Sequence, residues 1–600
     1  VTNMFNPKSA QSSKPIEVPI PRGGNRGLTR VWKPRSDKPT AEVLIDRVLQ
    51  ARGIEADEQG QNFLNPSLKA MHDPSGIPDL DRAAARILDA VRADEQIVIY
   101  GDYDVDGVTA SAILMQLIRT IKPDANLSSY IPHRLDEGYG INSDAIRTLA
   151  GNGAKVIVSV DCGITAIEPA VVAMDLGIDL IITDHHNPPA AMDDLPDAFA
   201  VVHPRRPDST YPFGELCGAG VAYKLAWRLA TLDAGGEKVS PAMRKVLVDL
   251  LGFAALGSIA DIVPLVDENR VIVKHGLSRI PTLPNEGLQA LIRASGLDSE
   301  KIDTEAIGFR LAPRLNAIGR LGHAGDALEL MTVATGDRAT ALAEELSRVN
   351  DERKKQELAI VAQAVDMAIA AQMTEDDQRA IVLAHEDWHP GIVGIVCSRL
   401  VDRFARPTIL MQKTSEGCKG SGRSIEGFNL HQGLESCSGL LQSFGGHDMA
   451  AGMKCDAQNF DAFAAAFIQH ANEHLDVDEL VHHTKYDCEA DFSELTPEAI
   501  HQLDRIAPFG AGNGRVRLRV NGLKLNGAAT PMGKAGNHLS FRVGSRDQTG
   551  PMLRVVAWNW ARYMDQIPAG APVEIIIEPK ISTWNGNTRV EPVLVDLRVV

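Results

Sequence analysis

Three short apolar runs, each ending on an aspartate, do most to limit the folds open to this 600-residue chain. Ile97-Val98-Ile99-Tyr100 leads to Asp102, Lys155–Val160 to Asp161, and Asp179–Thr183 to Asp184. Helical patterns lie around them, at Ala83 to Arg92, Thr109 to Ile121 and Thr165 to Leu176. Apolar strands this short, alternating with helices, predict a parallel sheet covered on both faces. The carboxyl ends of such strands share one edge, where ligands gather. The segment Ile259-Ala260-Asp261 reads the same way, as an apolar strand running into an acid.

The first of these edges is crowded. In Tyr100-Gly101-Asp102-Tyr103-Asp104-Val105-Asp106-Gly107, carboxylates recur at every second position. Charges so close repel unless a cation holds them. Asp-x-Asp-x-Asp-Gly also opens an EF-hand loop, which needs a bidentate Glu at its twelfth position. Counting from Asp102, that position is Ile113, and a strand precedes the motif, so the calcium loop is excluded. Asp161-Cys162-Gly163, Asp184-His185-His186 and Asp261-Ile262-Val263-Pro264 complete the set. Carboxylate oxygens with imidazole nitrogens, and no thiolate ligands, suit Mn²⁺ or Mg²⁺ rather than structural zinc. Each segment alone has a plainer reading, as a turn, a helix cap or a solvated histidine pair. Four of them in one stretch favour a metal site.

Elsewhere two readings stand side by side. Gly420-Ser421-Gly422-Arg423-Ser424 is a small-residue loop carrying a cation, suited to a phosphate or else simply a turn. Gly445-Gly446-His447 is equally a close-approach loop or an ordinary one. Arg515, Arg517 and Arg519 share one strand face, as a phosphate track or a solvated surface. Trp558, Trp560 and Trp584 are base-stacking or core residues, with Trp558 and Trp560 expected on one strand face.

The chain is too long for one core. Residues 1–38 read as a flexible basic arm, 39–325 and 376–480 as α/β domains, 326–375 as a long solvated connecting helix, and 485–600 as a β-rich barrel or sandwich. No apolar run is long enough to span a bilayer, and seven scattered cysteines without a CxxC pair fit a reducing cytoplasm. The net charge of −17 is uneven: residues 501–600 carry 13 Lys and Arg against 7 Asp and Glu. A polyanionic ligand is therefore not excluded.

The DxDxDG run, Val160-Asp161-Cys162-Gly163, Asp184-His185-His186 and Ile259-Ala260-Asp261-Ile262-Val263-Pro264-Leu265 together resemble the DHH phosphoesterase superfamily. Pro313 to Arg320, Trp388 to Val396, Gly420 to Ser424 and Phe444 to His447 continue the likeness, in the order found in its bacterial single-stranded-DNA exonucleases. The resemblance implies two α/β domains, a DHH domain and its associated domain, joined by a long helix, and a carboxyl-terminal oligonucleotide-binding (OB) barrel. It implies two divalent cations, Mn²⁺ or Mg²⁺, on Asp104, Asp106, Asp161, His185 and Asp261, with Asp161 bridging. Asp102 and Asp184 would support them and His186 would face the scissile phosphate. Substrate contacts would fall on Arg134, Arg314, Asn316, Arg320, His389, Ser421, Gly422, Arg423, Ser424, Gly446 and His447. The implied activity is 5′→3′ hydrolysis of single-stranded DNA in recombination and repair, with a single-strand-binding protein and a helicase as implied partners.

Overall fold

The computed structural model describes residues 26–37, 39–55, 57–132, 137, 140–236, 238–321, 324–547, 551–584 and 587–600. They form two compact units, one of residues 62–473 with 507–514, the other of 26–61 with 474–506 and 515–600. Set beside the expected bounds, residues 39–61 and 474–480 group with the barrel's unit and 507–514 with the other.

The first unit contains the expected parallel sheet, ordered Leu127–Tyr130, Ile97–Gly101, Val156–Val160, Asp179–Thr183, Ala200–Val202. Successive side chains on a strand point to opposite faces, and the burial follows that rule. Ile97 and Ile99 pack with the helices Leu80–Ala93, Val105–Ile121, Gly218–Asp233 and Pro241–Ala260. Val98 and Tyr100 pack with Ser143–Gly151 and Ile167–Asp175. Both faces are covered over the inner strands Ile97–Gly101 and Val156–Val160, which are buried throughout, whereas the edge strand Leu127–Tyr130 carries two serines.

Asp261 does not follow a strand. It caps the carboxyl end of the helix Pro241–Ala260, which Ser240 starts by accepting a hydrogen bond from Met243 N–H. A short apolar run such as Gly257–Ala260 looks alike in a buried helix and a buried strand. The helix is instead locked to its successor, Asp267–Arg279, and Glu268 in that successor is fully buried. Glu268 accepts hydrogen bonds from Lys224 Nζ, Tyr211 OH and His72 N–H, tying this corner to the helix Gly218–Asp233.

The connecting helix is shorter than expected. Gly325–Thr332 is a separate helix, the chain turns at Val333-Ala334-Thr335, and Gly336–Ala370 is the long element. It is not wholly solvated. Ala339, Leu342, Leu346, Val349, Arg353, Glu357 and Ile360 line a buried face, where Glu357 pairs with Arg353 and Arg399. Beyond it a five-stranded mixed sheet runs Ser443–Gly446, Ala450–Cys455, Gly417–Arg423, Thr408–Thr414, Ile381–His385.

In the second unit the strands Leu518–Leu525, Pro572–Glu578, Val593–Val599, Leu553–Ala557 and His538–Ser545 pair in sequence, and the last returns to pair with the first. This closes a five-stranded barrel. Residues 1–25 of the expected arm lie outside the described residues, but Arg30–Pro34 is a strand parallel to His482–Tyr486. It is not a flexible arm, because Trp32 is buried and donates from Nε1 to the buried Asp596 at 2.8 Å, which also accepts from Thr29 and Arg30 N–H.

Gly276 sits where the helices Pro241–Ala260 and Asp267–Arg279 touch, and a Cβ there would lie 2.2 Å from Leu251 O and 2.5 Å from Ala255 Cβ. Backbone cannot yield as a side chain does, so Gly276→Ala should destabilise the fold by about 1–3 kcal/mol. Urea denaturation would show this as a lowered midpoint with an unchanged slope.

Candidate metal centre

The sheet register builds the site. Gly101 pairs with Val160, Val160 with Thr183, and Thr183 with Val202. The next residue on each strand therefore falls in one row: Asp102, Asp161, Asp184 and His203. From outside the sheet come Asp104 and Asp106, at the start of the helix Val105–Ile121, the pair His185 and His186, and Asp261.

The side chains of these residues converge. His185 Nε2 lies 3.1 Å from Asp161 Oδ1, 3.6 Å from Asp261 Oδ2 and 3.8 Å from Asp106 Oδ2. Three groups have ligand atoms within 4.8 Å of one another: Asp161, His185 and His186; Asp106, His185 and Asp261; Asp102, Asp104 and Asp161. Asp161 and His185 each belong to two of them. Asp102 stands as close to a ligand position as Asp104 does, whereas the sequence resemblance gave it only a supporting role.

Several of these side chains are held from behind. Asp106 accepts from Gly218 N–H at 2.6 Å and Ala219 N–H at 2.9 Å, the amino end of a helix, where anions are favoured. Asp104 Oδ1 accepts from Asp106 and Gly107 N–H, capping its helix. Asp184 accepts from Ile164 N–H and His186 Nδ1, the latter at 2.7 Å, and so turns His186 Nε2 outward. His203 Nε2 donates to His186 O and Arg205 donates to His185 O, fixing the backbone of the histidine pair.

The sequence reading missed His203, Arg205 and several glycines. His203 ends an apolar strand as the aspartates do, and that was the available signal. Gly218 leaves room for Asp161, and Gly257 for Asp106: a Cβ would come within 2.6 Å and 2.4 Å of those side chains respectively. Two residues at the centre hold left-handed backbone without being glycine, Asp161 at φ 64° and Ile262 at φ 62°. That conformation costs about 1–2 kcal/mol for a residue bearing a Cβ.

The electrostatics fit a bound cation. Burial, then the charges of Asp106, Asp104, Asp102 and Asp261, push Asp161 well above the ordinary carboxyl range. Burial and Asp106 raise Asp261 to about 8, and burial and Asp104 raise Asp106 to about 6. Burial and the charge of His186 lower His185 to about 3, leaving a neutral imidazole ready to ligate. Burial would lower His186, but the hydrogen bond and charge of Asp184 outweigh it and raise the imidazole to about 9. The buried His185 Nε2 has no hydrogen-bond partner among the described residues. A hard divalent cation meets all of these demands at once.

The other expected site residues fare variously. Asn316 Oδ1 accepts from Val105 N–H, steadying the acidic loop, and Arg314 donates to Ser347 Oγ and Arg310 O. Arg320 donates to Gly391 O, and His389 Nδ1 accepts from Gly391 N–H, capping the helix Pro390–Phe404. Ser421, Gly422 and Arg423 are not in a loop but on the strand Gly417–Arg423. Glycines suit that central strand because a Cβ at Gly420 would meet Leu410 O at 2.3 Å. Ser421 Oγ and Arg423 Nη2 still converge, both within 3.4 Å of where Gly394 would carry a Cβ. Ser424 is buried and bonds Phe428 O. Gly445 and Gly446 likewise lie on a strand, Ser443–Gly446, and His447 Nδ1 lies 3.3 Å from Asn187 Nδ2. Arg134 lies outside the described residues, as does the side chain of Trp584.

In the barrel, the strand begins only at Leu518, and the arginine series faces carboxylates rather than open solvent. Arg517 pairs with Glu578 at 3.1 Å, Arg519 with Glu574 at 2.8 Å and Glu489 at 3.2 Å, and Arg515 approaches Glu578 at 4.0 Å. A track of cations already neutralised is a poor phosphate ligand. Trp558 and Trp560 are not on a strand either, since Asn559 turns the chain at φ 62°. Trp560 is 6% exposed against Tyr563, while Trp558 is 50% exposed with its ring edge-on to His538.

Sequence-family models match the DHH family N-terminal domain over residues 96–257, the DHHA1 domain over 377–473 and the RecJ OB domain over 486–596. Fold and site thus define a DHH-domain protein. The chain is 37% identical over 558 residues to the single-stranded-DNA-specific exonuclease RecJ of Bacillus subtilis (strain 168), covering 93% of this chain and 68% of that one. It is 32% identical over 589 residues to the RecJ of Salmonella typhimurium, covering 95% and 99%. The crystal structure of RecJ in complex with Mn²⁺ from Thermus thermophilus matches with a TM-score of 0.75 at 30% identity, over 92% of this chain and 75% of that one. The Mg²⁺ complex of the same protein matches at 0.70 and 29%, over 92% and 74%. The chain belongs to the RecJ family.

Burial and neighbouring acids favour the protonated forms of Asp106, Asp161 and Asp261, and a cation must displace the protons they hold. Binding of Mn²⁺ should therefore release about one to two protons near neutral pH and weaken as pH falls from 8 towards 6. Calorimetric titration in buffers of different ionisation enthalpy checks this. Buffer-independent heats would mean the acids are already ionised.

Proposed function

We propose that this chain is a divalent-metal-dependent exonuclease that hydrolyses single-stranded DNA from its 5′ end to mononucleotides. The observation that carries the reading is the convergence of acids and imidazoles from the sheet row and the loops beside it on one set of ligand positions. The names and metal complexes of the relatives support it.

Asp104, Asp106, Asp161, His185 and Asp261 are the proposed ligands of two cations, Mn²⁺ or Mg²⁺, with Asp102 beside them. Such cations supply Lewis acidity towards a phosphodiester and lower the pKa of bound water. The chain's own groups do the rest. Asp184 orients the His186 ring through Nδ1 and keeps it protonated, so Nε2–H can donate to a non-bridging phosphate oxygen. Ser421 and Arg423, brought together by the missing side chain of Gly394, suit a terminal phosphate. A terminal phosphate held there would fix which bond reaches the cations, as exonuclease rather than endonuclease action requires. In the barrel, Trp558 with His538 offers a stacking surface for a base. A role in recombination and repair, a cytoplasmic location, and a single-strand-binding protein and a helicase as partners complete the reading. No helix among the described residues is long and apolar enough to cross a membrane.

Incubation with 5′-labelled single-stranded DNA and Mn²⁺ should release labelled mononucleotide, with essentially no hydrolysis in chelator and recovery on adding Mn²⁺ or Mg²⁺. Binding without cleavage would instead indicate a scaffold. In the same assay His186→Ala should lower kcat about 10²–10³-fold, the cost of one donor to a developing charge. Its Mn²⁺ dissociation constant should stay near that of the unaltered protein. A parallel loss of Mn²⁺ affinity would make His186 a ligand instead.

A further inference from the structure

Ile262 directly follows the proposed ligand Asp261 and occupies the left-handed position that ends the helix Pro241–Ala260. Glycine is the usual occupant of such a position, and Asn or Asp the usual exceptions. Among the described residues with positive φ that are not glycine, Ile262 alone is β-branched. The strain brings no packing in return. Ile262 is 72% exposed, whereas Val263 and Leu265 after it are buried. An apolar side chain is thus held in solvent one residue from Asp261, whose Oδ2 lies 3.6 Å from His185 Nε2.

Residues held in strained backbone gather where a ligand must be positioned. A single-stranded nucleotide also offers just what this side chain lacks, a flat apolar surface on its base and sugar. We propose that Ile262 is a substrate-positioning residue: its side chain is the apolar rest for the sugar and base of the nucleotide entering the metal centre. The inference rests on the single-strand nuclease reading above and adds a contact to the nucleoside at the metal centre, where the groups assigned so far address the metal or the phosphate.

The test uses the full chain with Mn²⁺ and a phosphorothioate oligonucleotide, so that binding is read without cleavage. Ile262→Gly and Ile262→Asn both accept the left-handed backbone and should leave the urea midpoint unchanged or higher. Each should weaken oligonucleotide binding about tenfold, as expected for losing a partly buried apolar contact. Ile262→Leu, apolar but unbranched at Cβ, should bind as the unaltered protein does. The difference between Ile and Gly should shrink on an oligonucleotide whose 5′-terminal nucleotides are abasic. Equal affinity across the variants would overturn the proposal, as would a matching fall in Mn²⁺ affinity, which would make Ile262 a support for Asp261. Failure of the unaltered protein to cleave ordinary single-stranded DNA would refute the nuclease reading, while the binding series would still decide the role of Ile262.

Discussion

Mutual repulsion among buried carboxylates is the constraint on which the rest of this structure depends. Asp102, Asp106, Asp161 and Asp184 are all buried, and the parallel register leaves the three on strand ends no means of moving apart. Water would separate and hydrate these charges; the fold forbids it. The energy that holds them comes from the apolar helices packed on both sheet faces and from backbone N–H groups aimed at individual oxygens. Such a centre is an unfinished electrostatic object, stable enough to fold and complete only when positive charge enters.

The supports differ in kind, and the difference assigns work. Asp106 and Asp184 receive several N–H donors each, but only Asp184 is driven down, to about 2, because His186 adds both a hydrogen bond and a charge against the burial that opposes it. In Asp161 and Asp261 burial and the neighbouring acids prevail instead, and both are raised. The fold therefore separates an orienting acid held in its ionised form from acids whose protonated forms are favoured. Helix ends, strand ends and glycine gaps are all used within one small region, which explains why the converging side chains are so far apart in sequence.

The sequence made the sheet and most of the centre legible because period and chemistry coincided there. Apolar strands buried on both faces have one reading, and acids just past their ends have one edge to occupy. Asp261 stands beside the other acids but on a helix end rather than a strand, since the short apolar run Ile259-Ala260 does not distinguish the two. The glycines that admit Asp161 and Asp106 were invisible: what they provide is an absence, and only neighbours in space give it meaning. Of the arginine series only Arg519 lies on the strand, and the carboxylate partners Glu574 and Glu578 lie more than fifty residues away in sequence. Trp558 and Trp560 were misplaced by a single left-handed Asn. The strand at Arg30–Pro34 was hidden by a basic, proline-rich context whose partner strand lies some 450 residues further on.

The stretch 507–514 interrupts the barrel unit and belongs to the other one, where Ala511 O accepts from Leu265 N–H and Gly512 lies against Pro264. Those residues back the turn that displays Asp261. The barrel is consequently not a cassette. A fragment starting at residue 485 would carry eight residues evolved to pack elsewhere, and a fragment stopping there would leave Leu265 without its backbone acceptor. Exchanging the barrel for another would therefore have to preserve the packing of residues 507–514 on Pro264 and Leu265.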